Sequence, residues 1–283
     1  MRGRAGHSIS IKYVDRADLS AESATLDSVF DAGLTGVVIR NALPAEMVVH
    51  AAGRLQSQAL ESVWKSPNKG MPGGEIRTIC DAATPTFTAL RGPTREAYAQ
   101  SASEHLHWTQ SIFGEHEPTI QIASIFSDLF HGHPAAPPSL GGGDHWAPFN
   151  FRALDPGVQI YSHHDNHYGL DIYRELDSGY DRSTLLSWFV TLQPAENDGD
   201  LIIYGLWGSD PNPPMLPTRF LDTAALERDY CKETLPLGAG DMVIFDSGRH
   251  VHRVTPVMGE LSRLTLGGFL TSDKARSRLA FWC

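Results

Sequence analysis

The chain is short of cysteine, of positive charge and of long apolar runs, and each shortage removes a class of protein. Its three cysteines, Cys80, Cys231 and Cys283, are odd in number, far apart and free of CxxC spacing. A disulfide framework and a thiolate zinc site are therefore excluded as the organising principle, and reduced cytoplasmic thiols are expected. Lys and Arg number 23 against 33 Asp and Glu, for a net charge of −10, with no basic cluster. That balance argues against nucleic acid, whose binding depends on neutralising phosphates, and points to a small-molecule partner. No segment is long and apolar enough to span a membrane. Residues 1–10 carry basic side chains but no apolar stretch behind them, so they do not read as a secretory signal. Internal repeats and low-complexity tracts are absent as well. Hydrophobic residues at 41% and charged residues at 20% describe an ordinary globular chain. Its length suits one domain over 1–283, a monomer or homodimer in the cytoplasm.

What is present divides into two patterns. Residues 1–140 read as mainly helical with one or more strands. Ser20 can cap a helix running towards Ala32, residues 36–40 suggest a strand, and Pro44 precedes a helical stretch over 45–55. Pro93 and Pro118 open further helices, over 94–113 and 119–130, the second stopping at the turn signal 131–134. A linker-like stretch over 134–143 follows. From Asp144 the pattern becomes short strands, punctuated by turn signals at 155–157, 197–200, 210–214 and 238–240. The expected fold is α+β: a double-stranded β-helix, or cupin-like jelly roll, over 144–270, with the N-terminal helices packed on one sheet and a C-terminal extension over 271–283.

The chemistry concentrates in the run 159–167, QIYSHHDNH. Side chains alternate across a strand, so His163 and Asp165 share a face and can grip one ion, while His164 points away. A second imidazole from a distant strand completes the two-histidine, one-carboxylate set that suits Fe(II) and leaves positions open for catalysis. Residues 240–254 supply that strand, and His250 and His252 fall on one face of it, so either can reach a metal. Arg263 lies in the alternating stretch 261–270, where a buried guanidinium wants a carboxylate. Its fork can take the distal carboxylate of 2-oxoglutarate while the keto-acid end chelates the iron, leaving one position for O2.

Other side chains are weaker candidates. Ser187, with Phe189 and Thr191, can face the metal from the strand 185–192, or can be an ordinary core serine. Arg152 sits among apolar residues, where it holds 2-oxoglutarate or substrate, or forms a structural ion pair. Trp146, Phe149, Tyr161, His167 and Tyr168 flank the motif and are candidates for an apolar pocket that keeps the reaction dry. His131 and His133 read as loop histidines, and His105 and His107, two apart on a helix, do not face each other.

At these residues the chain resembles the carrier-independent, iron- and 2-oxoglutarate-dependent halogenases that chlorinate indole alkaloids. The similarity begins weakly at 36–44, strengthens through 186–189 and 199–204, is strongest over 240–270, and continues through Phe281 and Trp282. The resemblance implies that His163 and His252 are the iron imidazoles and that Arg263 is the 2-oxoglutarate anchor. One position departs from it: those halogenases have glycine where this chain has Asp165, and the missing carboxylate vacates the iron position that chloride takes. With Asp165 in place, the expected outcome is hydroxylation of a freestanding small molecule of natural-product or amino-acid type. Desaturation, epoxidation, cyclisation or halogenation with the same cofactors, and a non-catalytic cupin-like metal or organic-acid binding protein, are the alternatives.

Overall fold

The computed structural model describes residues 6–66, 73–79, 95–141, 144–165 and 176–283. In chain order its principal strands are β1 (Ile11–Asp15), β2 (Gly36–Arg40), β3 (Arg77–Ile79), β4 (Asn150–Leu154), β5 (Ile160–His163) and β6 (Leu186–Gln193). They continue with β7 (Leu201–Trp207), β8 (Lys232–Leu235), β9 (Met242–Phe245), β10 (His250–Val254), β11 (Arg263–Ser272) and β12 (Leu279–Trp282). The α-helices are α1 (Thr25–Phe30), α2 (Ala45–Leu55), α3 (Arg95–Phe113), α4 (Pro118–Asp128) and α5 (Thr223–Asp229).

The strands form two main sheets. The larger runs β1-β2-β9-β6-β11-β12, with β4 paired to the first half of β11 and β3 to β4. The smaller runs β8-β7-β10-β5. Their facing sides share one apolar cluster, in which Val38, Val243 and Phe245 of the larger sheet meet Leu201, Ile203 and Leu235 of the smaller. This is the expected sandwich.

Alternation along β6 and β11 assigns the two faces of the larger sheet. Leu186, Trp188, Val190 and Leu192, with Leu264, Leu266 and Leu270, face the helices and share a core with Val48 of α2 and Phe126 of α4. Ser187, Phe189 and Thr191, with Arg263 and Thr265, take the opposite face. At Gly267 a Cβ would lie 2.5 Å from the Trp188 carbonyl oxygen, so glycine alone lets these strands approach. α4 is seated by Phe126, whose ring meets Trp188 and Phe281 edge-on, each at 5.3 Å between centroids.

Local chemistry moves several boundaries. The helix expected from Ser20 is instead a 3-10 stretch (Arg16–Glu22) followed by α1. Asp15 is the cap that wins, its carboxylate accepting the Ala17 N–H at 3.0 Å. α4 ends at Asp128, and the chain reverses through left-handed His131 and Gly132. Strand β1 and helix α5 were not anticipated, although Asp222 caps α5 by accepting the Ala225 N–H at 3.1 Å. Residues beyond 270 complete the larger sheet, because β12 pairs with the second half of β11. Among the described residues no helix is long and apolar enough to cross a membrane.

His105 is a packing residue inside this frame. Its Nε2 donates to the Phe149 carbonyl at 2.9 Å and its Nδ1 accepts from the Thr109 hydroxyl at 3.2 Å, a pattern that only the neutral ring satisfies. Burial pushes its pKa down to about 4.

Two outcomes follow from this packing. Phe126→Ala empties a fully buried site between helix and sheet and should cost about 3–5 kcal/mol in chemical denaturation. For His105, the unfolded chain takes up a proton near pH 6.5 whereas the folded one resists until about 4. Stability should therefore fall as pH drops through that window, by up to about 3 kcal/mol. Denaturation at pH 7 and pH 5 should show the loss, and His105→Gln should reduce it, the buried His252 accounting for part of what remains.

Candidate metal centre

β5 and β10 run antiparallel, and their register sets His163 directly opposite His252. The two rings lie 4.3 Å apart between centroids. The Nδ1 of His163 donates to the Tyr161 carbonyl at 2.7 Å, and that of His252 to the His250 carbonyl at 3.0 Å. A ring nitrogen facing a carbonyl must carry a proton, so in the neutral ring the lone pair of each imidazole is on Nε2. Burial, then the neighbouring His163, hold the His252 pKa down to about 4. The ring is neutral at physiological pH, the state in which imidazole binds a metal.

Asp165 completes the group, though not by strand alternation. β5 stops at His163, and Asp165 sits beyond it, its backbone N–H donating to the Ser247 carbonyl at 2.9 Å. Its Oδ2 accepts the Ser187 hydroxyl at 2.5 Å, and the Ser247 hydroxyl donates to Ser187 Oγ at 2.7 Å. Asp165 Oδ1 is 3.6 Å from His163 Nε2, and Oδ2 is 3.9 Å from His252 Nε2. One ligand atom from each of the three residues fits within 4.8 Å, a set able to hold a cation. His163 is half-exposed whereas His252 and Asp165 are covered, so the group opens on the His163 side.

Of the two histidines on β10, His250 is used up by packing. Its Nδ1 donates to the Tyr204 carbonyl at 3.1 Å and its Nε2 accepts the Trp207 indole N–H at 3.3 Å. His164 points away from the group and packs over Gly208, where a Cβ would lie 2.5 Å from its ring. On the outer side of the smaller sheet, Glu227 of α5 accepts from Tyr204 at 2.5 Å and from Arg253 at 2.8 Å, bracing β10 from behind.

Arg263 is buried at 5% exposure on the interior face of β11, its guanidinium 4.9 Å above the Phe189 ring. Burial and then the neighbouring Arg152 push its pKa down to about 10, which leaves it charged at neutral pH. Arg152, half-buried on β4, pairs in register with Thr265 two residues along β11. Neither arginine makes a hydrogen bond or ion pair with the described residues. A cavity of about 340 Å³, lined by Glu196, Asp198, Asp200 and Gly238 among others, reaches Arg263. The guanidinium fork of Arg263 is a donor set that fits a carboxylate.

The remaining sequence candidates scatter. Tyr161 borders the centre through its carbonyl, with its ring half-exposed 5.8 Å from Phe220. Trp146 is instead buried against Tyr98 and Trp282, and Phe149 against His105 and Phe151; aromatic packing claims both. His131 bonds Asp27 at 2.6 Å in a surface turn. His167 and Tyr168 lie outside the described residues. Ser247 was not anticipated; its only signal was the turn that ends β9.

Ser187→Ala removes the bond that holds Asp165 and should weaken Co(II) affinity about 10-fold, read by visible titration.

The profile of a family described as carrier-protein-independent halogenase WelO5 matches residues 12–283. No curated protein matches by sequence. Among solved structures, the chain is similar to an N-substituted L-amino acid dioxygenase from Burkholderia ambifaria AMMD, at 18% identity over 91% of each chain and a TM-score of 0.49. It is also similar to SnoN of nogalamycin biosynthesis, described as a non-heme alpha ketoglutarate dependent epimerase, at 15% identity over 90% of this chain and 83% of that one, TM-score 0.49. A Pseudomonas putida prolyl-4-hydroxylase follows, at 16% identity over 88% and 97%, TM-score 0.42.

Proposed function

The chain belongs to the carrier-protein-independent halogenase family, within the iron- and 2-oxoglutarate-dependent oxygenases, and from that premise we propose that it hydroxylates a C–H bond of a freestanding small molecule. The observation that carries the reading is Asp165, a carboxylate held by hydrogen bonds beside two imidazoles. In this assignment His163, Asp165 and His252 hold Fe(II), and Arg263 pairs with the distal carboxylate of 2-oxoglutarate. The metal and co-substrate, when bound, supply the oxidation of a C–H bond by O2, with 2-oxoglutarate converted to succinate and CO2.

The protein's own share is placement and protection. The Tyr161 and His250 carbonyls orient the two imidazoles. Ser187 engages Oδ2 of Asp165 and so helps to fix the orientation of the carboxylate. The Phe245 ring meets His252 edge-on at 4.9 Å, and Phe189 lies beneath Arg263, so apolar surface screens both ends of the centre from water. Tyr161 and Phe220 stand at the half-exposed side and form its lip.

Hydroxylation is favoured over halogenation because the position that glycine leaves open to chloride in the halogenases is occupied by a carboxylate here. Asp165→Gly leaves the Ser187 hydroxyl without its acceptor and opens room for an anion beside it.

Anaerobic titration of the protein with Fe(II) and then 2-oxoglutarate should give a visible metal-to-ligand charge-transfer band, weakened in His252→Ala and in Arg263→Ala. A folded, iron-loaded protein without the band, and without 2-oxoglutarate consumption, is instead a non-catalytic binding protein. Chloride should shift the band in Asp165→Gly and leave it unmoved in the parent. Full hydroxylation by Asp165→Ala would refute the ligand role of this carboxylate.

A further inference from the structure

His250 is buried on β10 two residues before His252 and is not one of the three residues of the centre. Both of its ring nitrogens are nevertheless engaged. Nδ1 donates to the Tyr204 carbonyl at 3.1 Å, and Nε2 accepts the Trp207 indole N–H at 3.3 Å. A ring that donates at one nitrogen and accepts at the other is a single neutral tautomer, held against rotation by both bonds. The carbonyl of the same residue is the acceptor for His252 Nδ1, at 3.0 Å. Whatever restrains His250 therefore restrains the atom that aims His252.

The neighbouring strand is shaped to make both bonds. Ile203 of β7 is level with His252, and Trp207 with His250, so four steps along β7 match two along β10. The surplus leaves the ladder as a bulge, a device that re-aims groups beside functional sites. It turns the Tyr204 carbonyl to the imidazole and brings Trp207 level with it. Segment 6–10 holds this bulge as the chain crosses from the smaller sheet to β1 of the larger. The His7 N–H donates to the Gly205 carbonyl at 2.8 Å, and a Cβ on Gly205 would lie 2.3 Å from the His7 carbonyl oxygen, so only glycine allows the approach. The His7 ring stacks on Trp207, with centroids 3.8 Å apart and planes within 6°. Asp210 accepts from both residues, from His7 Nε2 at 3.3 Å and from the Trp207 backbone N–H at 3.0 Å. An indole held on one face and at its backbone cannot swing off His250 without breaking these contacts.

Resting on the metal reading above, we propose that Trp207 and His250 are positioning residues of the centre: the indole locks the His250 ring, and the locked residue presents its carbonyl to His252. Partners behind a metal-binding histidine raise affinity by fixing the ring before the metal arrives. His163 is half-exposed on the edge strand β5, so the buried His252 is the imidazole that the scaffold can hold in advance. The pair serves His252 as Ser187 serves Asp165.

Co(II) binding, read from its visible bands and from the heat of titration, tests the pair without any turnover. Trp207→Phe keeps a ring to stack on His7 and loses the indole N–H, whereas His250→Leu loses both ring bonds. Each should weaken Co(II) binding about 10- to 100-fold, the range for partners behind a metal ligand, and shift the visible bands. The amide of His250→Gln can donate to the Tyr204 carbonyl and accept from the indole. It should return the affinity to within about threefold of the parent, a margin under one tenfold step. Leu226→Ala empties a buried site in the cluster that Tyr204 and Val251 share, touches neither bond, and should lower the Tm while leaving the bands and affinity parental. Parental affinity and bands in Trp207→Phe or in a folded His250→Leu overturn the assignment. So does a loss in Leu226→Ala as large as theirs, or a His250→Gln no better than His250→Leu. Trp207→Phe decides the matter should His250→Leu not fold. A parent protein that binds no Co(II) overturns the metal reading and this pair with it.

Discussion

The antiparallel register of β5 against β10 is the constraint from which the centre is built. It sets His163 opposite His252, and a slip of one residue in either strand would turn that strand's ring away from the interior. Each ring is then oriented by a carbonyl of its own strand, two residues back, so the backbone conformation that pairs the strands also selects the tautomer. The carboxylate arrives differently. Asp165 lies past the end of β5 and is fixed by Ser247 and by Ser187 of the larger sheet. The support of the candidate metal set therefore spans both sheets, and its geometry depends on their packing as well as on either one.

That dependence explains why β6 and β11 serve two purposes. Their helix-facing side chains bury into the core that seats α2 and α4, while the alternate residues supply Ser187, Phe189, Thr191 and Arg263 to the interior. Packing on one face fixes the register, and the register fixes spacing on the other. The core is in this sense the support for the site, since a shift needed to relieve a cavity under Trp188 would carry Ser187 with it. A similar support acts on the smaller sheet, where Glu227 ties Tyr204 and Arg253 together behind the strand that bears His252.

Residue type and order were enough to find the parts whose chemistry is unusual. His163, Asp165 and Arg263 stood out because an imidazole, a carboxylate and an isolated arginine in that order are distinctive, whereas His252 was preferred to His250 only through the family resemblance. The jelly roll was legible from its turn signals. Helix starts were less so, because Asp15 and Ser20 are both competent caps and only tertiary packing decides between them. Trp146 and Phe149 lie near the motif in sequence but are drawn into aromatic clusters with Tyr98, Trp282 and His105. His250 and His252 were equivalent by spacing alone; the Trp207 indole and the Tyr204 carbonyl make them different. The Ser247 contacts and the Trp207 bond to His250 are properties of assembled strands and have no signature in a linear sequence.

The charges inside the sandwich form a consistent set. Both imidazoles are oriented to present lone pairs, Asp165 is the one carboxylate among the three residues of the centre, and Arg152 and Arg263 stand on the interior face without an acid bonded to them among the described residues. Asp200 favours the charged form of Arg263 but makes no ion pair with it. An uncompensated buried guanidinium is costly, and evolution could have replaced it with leucine on that strand at a gain in stability. Its retention, with the pKa still near 10, is understandable if the folded state is completed by an anion. In the proposed assignment, a dication held by His163, Asp165 and His252 and a dicarboxylate paired with Arg263 would add equal and opposite charge. That pair would meet both demands of the interior at once, a metal for the lone pairs and an acceptor for the guanidinium.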